Sequence, residues 1–286
     1  MSDQPLMIQL RPHQQRATDA MLAHDKGQII VPTGGGKTLT MIMDTKVRHE
    51  VMNNGTTTVV VAPRILLAEQ LCSEFLEIVN TTHTHIMHVH SGETQHFSTT
   101  KPDSIHMFAN TARTAGENCI IFTTYHSLHR VQEADIEVNT IYFDEAHNSV
   151  QRNFFPATEF FSGDADRKYF FTATPKHSLT VFKPGMNDPE VYGQVICNVP
   201  APKLVEQGYI LPPKVVVKNL PTGDAMLCQF VLSCLSPVLR SFQVSDVAIE
   251  KLQTFPPLGK VLTSGSLPRF PIRITLFTLP AIFFSL

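Results

Sequence analysis

Val31-Pro32-Thr33-Gly34-Gly35-Gly36-Lys37-Thr38 decides how the rest of the chain is read. It follows a short apolar run, Gln28 to Val31, and precedes Leu39, Ile42, Met43 and Val47 at helical spacing. A glycine-rich turn between a strand and a helix is the setting in which a phosphate-binding loop works. Glycine lets the backbone wrap closely enough for successive N–H groups to point at phosphate oxygens. The helix that begins there adds the positive end of its dipole. The candidate nucleotide-binding residues are Thr33, Gly34, Gly35, Gly36, Lys37 and Thr38, with Lys37 for the β- and γ-phosphates and the Thr38 hydroxyl for Mg²⁺. The strict pattern has glycine where Val31 stands.

A loop of this kind holds a triphosphate but does not hydrolyse it. Hydrolysis needs a carboxylate at the tip of a buried strand. Thr140 to Phe143 reads as such a strand and runs into Asp144-Glu145-Ala146-His147. Asp144 is expected to hold the metal through its water shell, and Glu145 to polarise the attacking water. An acidic turn after a strand is common by itself. Downstream of a phosphate-binding loop it completes a second, independent part of one machine.

With both parts in hand, the chain resembles a superfamily 2 helicase or translocase of the DEAD/DEAH type, in its type III restriction-like branch. In that branch a residue other than glycine often opens the loop, which accommodates Val31. Further segments match in order. Leu10-Arg11-Pro12-His13-Gln14 resembles the segment whose glutamine recognises adenine, here Gln14. Val61-Ala62-Pro63-Arg64 and the residues to Gln70 resemble motif Ia, and Phe122-Thr123-Thr124-Tyr125 resembles motif Ib. The resemblance implies that Pro63, Arg64, Thr123 and Thr124 contact a nucleic-acid backbone. Phe171-Thr172-Ala173-Thr174-Pro175 resembles motif III, which implies that His147, Thr172 and Thr174 couple the nucleotide site to the nucleic-acid site. The resemblance runs from about residue 8 to residue 218.

The alternation of strands and helices predicts an α/β, RecA-like domain with a mostly parallel sheet flanked by helices. Helices are expected over 12–24, 38–52, 64–79 and 202–207, and strands over 56–62, 81–90, 120–123, 168–172 and 214–218. The segment 93–118 reads as a polar, irregular surface excursion, and 181–190 as a loop or hairpin. His83, His85, His88 and His90 alternate along one strand with no acidic or cysteine partner nearby in sequence, so they read as a polar, solvated face rather than a metal site.

Residues 1–218 are therefore expected to form the ATP-binding motor domain. Residues 219–286 read as a truncated or divergent segment, not a complete second RecA-like domain. Only Arg240, Arg269 and Arg273 occur there, none in an arginine-finger context, and no acidic residue follows Glu250. Truncation or a lost reading frame is favoured over a genuine replacement that docks on the first domain. The apolar run from Ile274 to Leu286 is too short to span a bilayer and contains Pro280, so no membrane partner is expected.

The chain has 286 residues, with 23 Lys and Arg against 25 Asp and Glu, a net charge of -2. That argues against a broad electrostatic clamp on DNA but leaves open a grip through backbone N–H groups and hydroxyls. Its 5 cysteines include no C-x-x-C pair, and the N-terminus lacks an apolar signal core, so a reducing, intracellular compartment is expected. The expected function is ATP hydrolysis coupled to movement on nucleic acid, with ATP and Mg²⁺ as cofactors. DNA is favoured over RNA as partner, and a separate chain is a candidate source of the second motor domain. The alternative is an incomplete motor that only binds ATP and nucleic acid.

Overall fold

The structure, a computed structural model, describes residues 9–51, 55–79, 82–180, 183–212, 215–217 and 275–277. The chain divides into two compact units, Met1–Leu211 and Pro212–Leu286. In the second unit Val215–Val217 pairs antiparallel with Thr275–Phe277. The expectations for Arg240, Arg269 and Arg273 and for most of 219–286 lie outside the described residues.

The first unit is built on one sheet of eight strands: β1 (Lys26–Ile30), β2 (Thr57–Ala62), β3 (Thr84–Val89), β4 (Phe97–Ser98), β5 (Asn118–Thr124), β6 (Thr140–Phe143), β7 (Arg167–Thr172) and β8 (Val195–Asn198). Their order is β4-β3-β5-β2-β6-β7-β1-β8, and every pairing is parallel. The α/β, RecA-like class expected from the alternation is the one observed, with a wholly parallel sheet.

Composition explains the strand order. β2 reads TTVVVA and is buried at all six positions, as a central parallel strand covered on both faces must be. Its side chains alternate between two cores. Val59 and Val61 pack with Ile121, Ile141, Phe143 and Phe170, whereas Val60 and Ala62 pack with Phe75, Phe122, Tyr142 and Phe171. Edge strand β4, by contrast, has only two residues, and Phe97 on it is half exposed.

Among the described residues eight helices cover the sheet: α1 (Pro12–Ala23), α2 (Lys37–Val51), α3 (Ile65–Leu76), α4 (Pro102–Thr114), α5 (Leu128–Glu133), α6 (Phe155–Asp164), α7 (Pro189–Tyr192) and α8 (Ala201–Glu206). α2 is fastened by a buried polar network. The Arg48 guanidinium donates to Asp44 Oδ2 at 2.8 Å, to the Met21 carbonyl at 3.1 Å and to the Tyr169 hydroxyl at 3.1 Å. Tyr142 Oη donates to the same Asp44 oxygen at 2.6 Å. One cluster thus ties α2 to β6, β7 and the end of α1.

Two expectations are corrected. The segment 93–118 is not an irregular excursion but contains β4 and α4. Helix α4 buries Ile105, Ala109 and Ala112 at i, i+4 and i+7. This narrow stripe is masked by Asp103, Asn110, Thr111 and Arg113 around it. The histidines of β3 are not one solvated face either. His88 and His90 are 1% and 2% exposed and bonded to each other, Nδ1 to Nε2, at 3.2 Å. His83 and His85 both face Glu117, which adjoins them across the sheet although it is distant in sequence.

Candidate nucleotide and nucleic-acid site

Parallel strands bring their carboxyl ends to one rim of the sheet, where ligands of such folds bind. The candidate residues converge there. β1 feeds the glycine loop, β6 feeds Asp144 and Glu145, β7 ends in Thr172, β2 leads to Pro63 and Arg64, and β5 ends in Thr124.

Two glycines of the loop adopt left-handed backbone, Gly34 at φ +79 and Gly36 at φ +81. At Gly36 this backbone would strain any side chain, and a β-carbon there would also displace the tip of Gln14, whose Nε2 would lie 2.2 Å away. Between them the Gly35 N–H donates to the Pro32 carbonyl at 2.9 Å. Thr33 and Gly34 are exposed at the tip, and Lys37 and Thr38 are partly buried at its base.

Lys37 Nζ lies 3.0 Å from Glu145 Oε1. The phosphate-binding loop and the acidic strand tip, 108 residues apart in sequence, are thereby joined at one point. Glu145 itself has φ 47 and ψ 53, a left-handed conformation that non-glycine residues rarely adopt. It is followed by a 3₁₀ turn, Ala146–Asn148. Asp144 is held from behind, its N–H donating to the Val61 carbonyl at 2.8 Å and its own carbonyl accepting from Tyr125 Oη at 2.9 Å. Burial, and then the charge of Glu145, push the Asp144 carboxyl up to about 6, while Lys37 pulls the other way. A cation beside it would relieve that penalty. The neighbouring Glu145 offers further carboxylate oxygens, the donors Mg²⁺ takes.

His147 completes the arrangement. Its Nδ1 is 3.1 Å from Thr172 Oγ1 and 3.4 Å from Glu145 Oε2. Thr172 is fully buried, and its Oγ1 also accepts the Thr174 N–H at 3.2 Å. A polar chain therefore runs Lys37–Glu145–His147–Thr172–Thr174. Burial holds the His147 imidazole below its ordinary value, which favours the neutral ring within this chain.

The remaining candidate residues lie around this chain. Gln14 is 3% exposed. Its Oε1 accepts the Arg11 N–H at 2.9 Å and its Nε2 donates to the Gly36 carbonyl at 3.2 Å, so its amide is engaged with the start of α1 and the glycine loop. Of the four residues expected to touch a nucleic-acid backbone, Arg64 is exposed and Pro63 is half-buried. Thr123 and Thr124 are buried. The Thr123 hydroxyl donates to the Val89 carbonyl at 3.0 Å, and the Thr124 hydroxyl to Ser127 Oγ at 3.4 Å. These threonine hydroxyls are committed within the domain. The sequence reading missed His13, buried beneath the loop, and Tyr125, which braces Asp144. Both lie next to residues it did single out, and that adjacency was the only signal.

The family described as type III restriction enzyme, res subunit, matches residues 7–177. No curated protein matches the chain in sequence. Among solved structures, a nuclease-deletion mutant of the Type ISP restriction-modification enzyme LlaGI, in complex with a DNA substrate mimic, is similar with a TM-score of 0.60 at 20% identity. The similarity covers 85% of this chain and 24% of that one. The ATP-dependent Type ISP restriction-modification enzyme LlaBIII, bound to DNA, is similar with a TM-score of 0.58 at 21% identity over 70% of this chain and 16% of that one. The chain spans about a quarter or less of the length of either enzyme.

Proposed function

The chain belongs to the type III restriction enzyme res subunit family and is a superfamily 2 helicase-type motor domain, and we propose that it hydrolyses ATP to drive movement along nucleic acid. The observation that carries this reading is the contact between Lys37 and Glu145, which puts a phosphate-binding group and a candidate base at one point.

In this reading the backbone of Gly34, Gly35 and Gly36 wraps the triphosphate, and Lys37 leaves Glu145 to neutralise the β- and γ-phosphates. Thr38 and Asp144 would hold Mg²⁺, which when bound neutralises charge on the phosphate oxygens. Glu145, released from Lys37, accepts a proton from the attacking water. His147, Thr172 and Thr174 relay the state of the site toward the nucleic-acid face. Arg64 contacts phosphate there, beside Pro63 and the end of β5, where Thr123 and Thr124 shape the rim beneath it. DNA is the favoured track, consistent with the DNA recorded with both Type ISP enzymes.

We take residues 1–218 as the motor domain, with a separate chain as a candidate source of the second RecA-like domain. An arginine finger contributes about three to five orders of magnitude to such rates, so turnover by this chain alone is expected to be slow. Buried, free Cys72, Cys119 and Cys197 support a reducing compartment. Among the described residues no helix is long and apolar enough to cross a membrane.

The test is steady-state ATP hydrolysis with and without single- and double-stranded DNA and RNA, beside Glu145→Gln. Stimulation by a polymer that is lost in the variant supports the motor. ATP binding without turnover in any condition selects the alternative, a module that only binds ATP and nucleic acid.

A further inference from the structure

His13 sits under the glycine loop. It is 3% exposed, and its Nε2 lies 2.7 Å from the Gly35 carbonyl. A carbonyl can only accept, so Nε2 carries a proton and donates; the other ring nitrogen is Nδ1. That Nδ1 is buried without a partner among the described residues. A buried polar atom left unpaired is costly, so the ring orientation is set by its contacts elsewhere. These are the Gly35 carbonyl on one side and the Tyr209 ring, 5.5 Å between centroids, on the other.

The neighbouring residue acts in parallel. Gln14 Nε2 donates to the Gly36 carbonyl at 3.2 Å. Two successive side chains of α1 thus hold two successive carbonyls of the loop. A peptide carbonyl and the N–H of the same peptide unit point in opposite directions. Drawing the Gly35 and Gly36 carbonyls toward α1 turns the N–H groups of Gly36 and Lys37 away from it. Leu204 of α8 closes the other flank, 3.2 Å from where a β-carbon of Gly35 would stand.

We propose that His13 is a positioning residue for the phosphate-binding loop: its Nε2–H, bonded to the Gly35 carbonyl, presets the Gly36 N–H toward bound triphosphate. This rests on the ATP reading above and adds a residue that touches neither nucleotide nor metal. Preorganised donors spare the reorganisation that binding would otherwise cost. The imidazole is suited to the place because it supplies a donor at the end of a rigid, flat ring that also packs on Tyr209.

The test is a fluorescent ATP titration of the whole chain with Mg²⁺, for wild type, His13→Phe and His13→Gln, each checked by thermal melting. Phe keeps a flat ring against Tyr209 but has no donor, and Gln restores a donor of similar reach. His13→Phe should weaken nucleotide binding about tenfold, as expected for one lost hydrogen bond, and His13→Gln should recover most of it. If Phe is not accommodated, His13→Asn, too short to reach Gly35, takes its place. A His13→Phe or His13→Asn protein that binds as tightly as wild type overturns the proposal, as does a His13→Gln protein as weak as either. Wild-type protein that binds no nucleotide overturns the ATP reading, a distinct result.

Discussion

Lys37 and Glu145 neutralise each other across 3.0 Å, the lysine 10% exposed and the carboxylate 25%. Each group that the proposed reaction needs is thus held by the other. Binding of triphosphate must exchange one partner of Lys37 for another. Glu145→Gln removes the competing charge while keeping the shape. The expected outcome is ATP affinity equal to or tighter than the parent, with turnover lower by about two to four orders of magnitude. Lys37→Ala should instead lose affinity. Equilibrium binding and steady-state hydrolysis on the two variants separate these effects, and a Lys37→Ala protein that hydrolyses ATP like the parent would sink the assignment.

Thr172 is a single buried hydroxyl with two jobs. It meets His147 Nδ1 at 3.1 Å and accepts the Thr174 N–H at 3.2 Å. Thr172→Val has nearly the same shape but cannot serve either. ATP binding should persist, while stimulation of hydrolysis by nucleic acid should fall at least fivefold. Unchanged stimulation would remove Thr172 from the relay.

The buried network on α2 makes a prediction about stability rather than chemistry. Asp44 is fully buried and its Oδ1 has no partner among the described residues, so the ion pair with Arg48 rests on one oxygen. Removing one member leaves the other charge buried alone. Arg48→Ala should therefore cost about 3–5 kcal/mol of stability. The double change Asp44→Leu with Arg48→Met should recover much of it. Chemical denaturation of both proteins measures this, and additive losses would contradict the pairing.

Acid should destabilise the domain through its histidines. Burial lowers His49 to about 4, and burial followed by the nearby His90 and His96 lowers His88 to about 4; His90 is also lowered, by burial first. Between the ordinary histidine value of 6.5 and these lowered values, the unfolded chain binds protons that the folded one refuses. Stability is therefore fully present above pH 6.5 and is lost as pH falls from there toward 4. Each such histidine contributes at most about 1.4 kcal/mol per pH unit within the window. Denaturation midpoints at pH 7 and pH 5 should differ clearly, and equal midpoints would show these rings to be hydrated in solution.

Much of this architecture was legible because each strand's chemistry is local. The three valines of β2 and the TIYF run of β6 announce buried parallel strands, and the residues that follow them carry the motifs. The glycine loop and Asp144-Glu145 were readable as separate signals, and the order of the motifs joined them. α4 was not legible, because three buried apolar residues among polar ones give a weak periodic signal. The pairing of His83 and His85 with Glu117 was invisible for another reason: it depends on β3 and β5 lying side by side, which no local pattern encodes. Gln14 shows the same limit. Its presence was readable, but only the fold reveals that its amide is engaged with the Arg11 N–H and the Gly36 carbonyl.

Glu145 stands in left-handed backbone, at φ 47 and ψ 53. Such a conformation costs a side-chain-bearing residue about 1–2 kcal/mol that glycine does not incur. Backbone and chemistry therefore make opposite demands at this one position. A library selected only for heat resistance would drift toward glycine or asparagine there, and its winners would be sturdier proteins stripped of the carboxylate. Any effort to harden this domain has to screen for turnover at residue 145, or it will select against the activity.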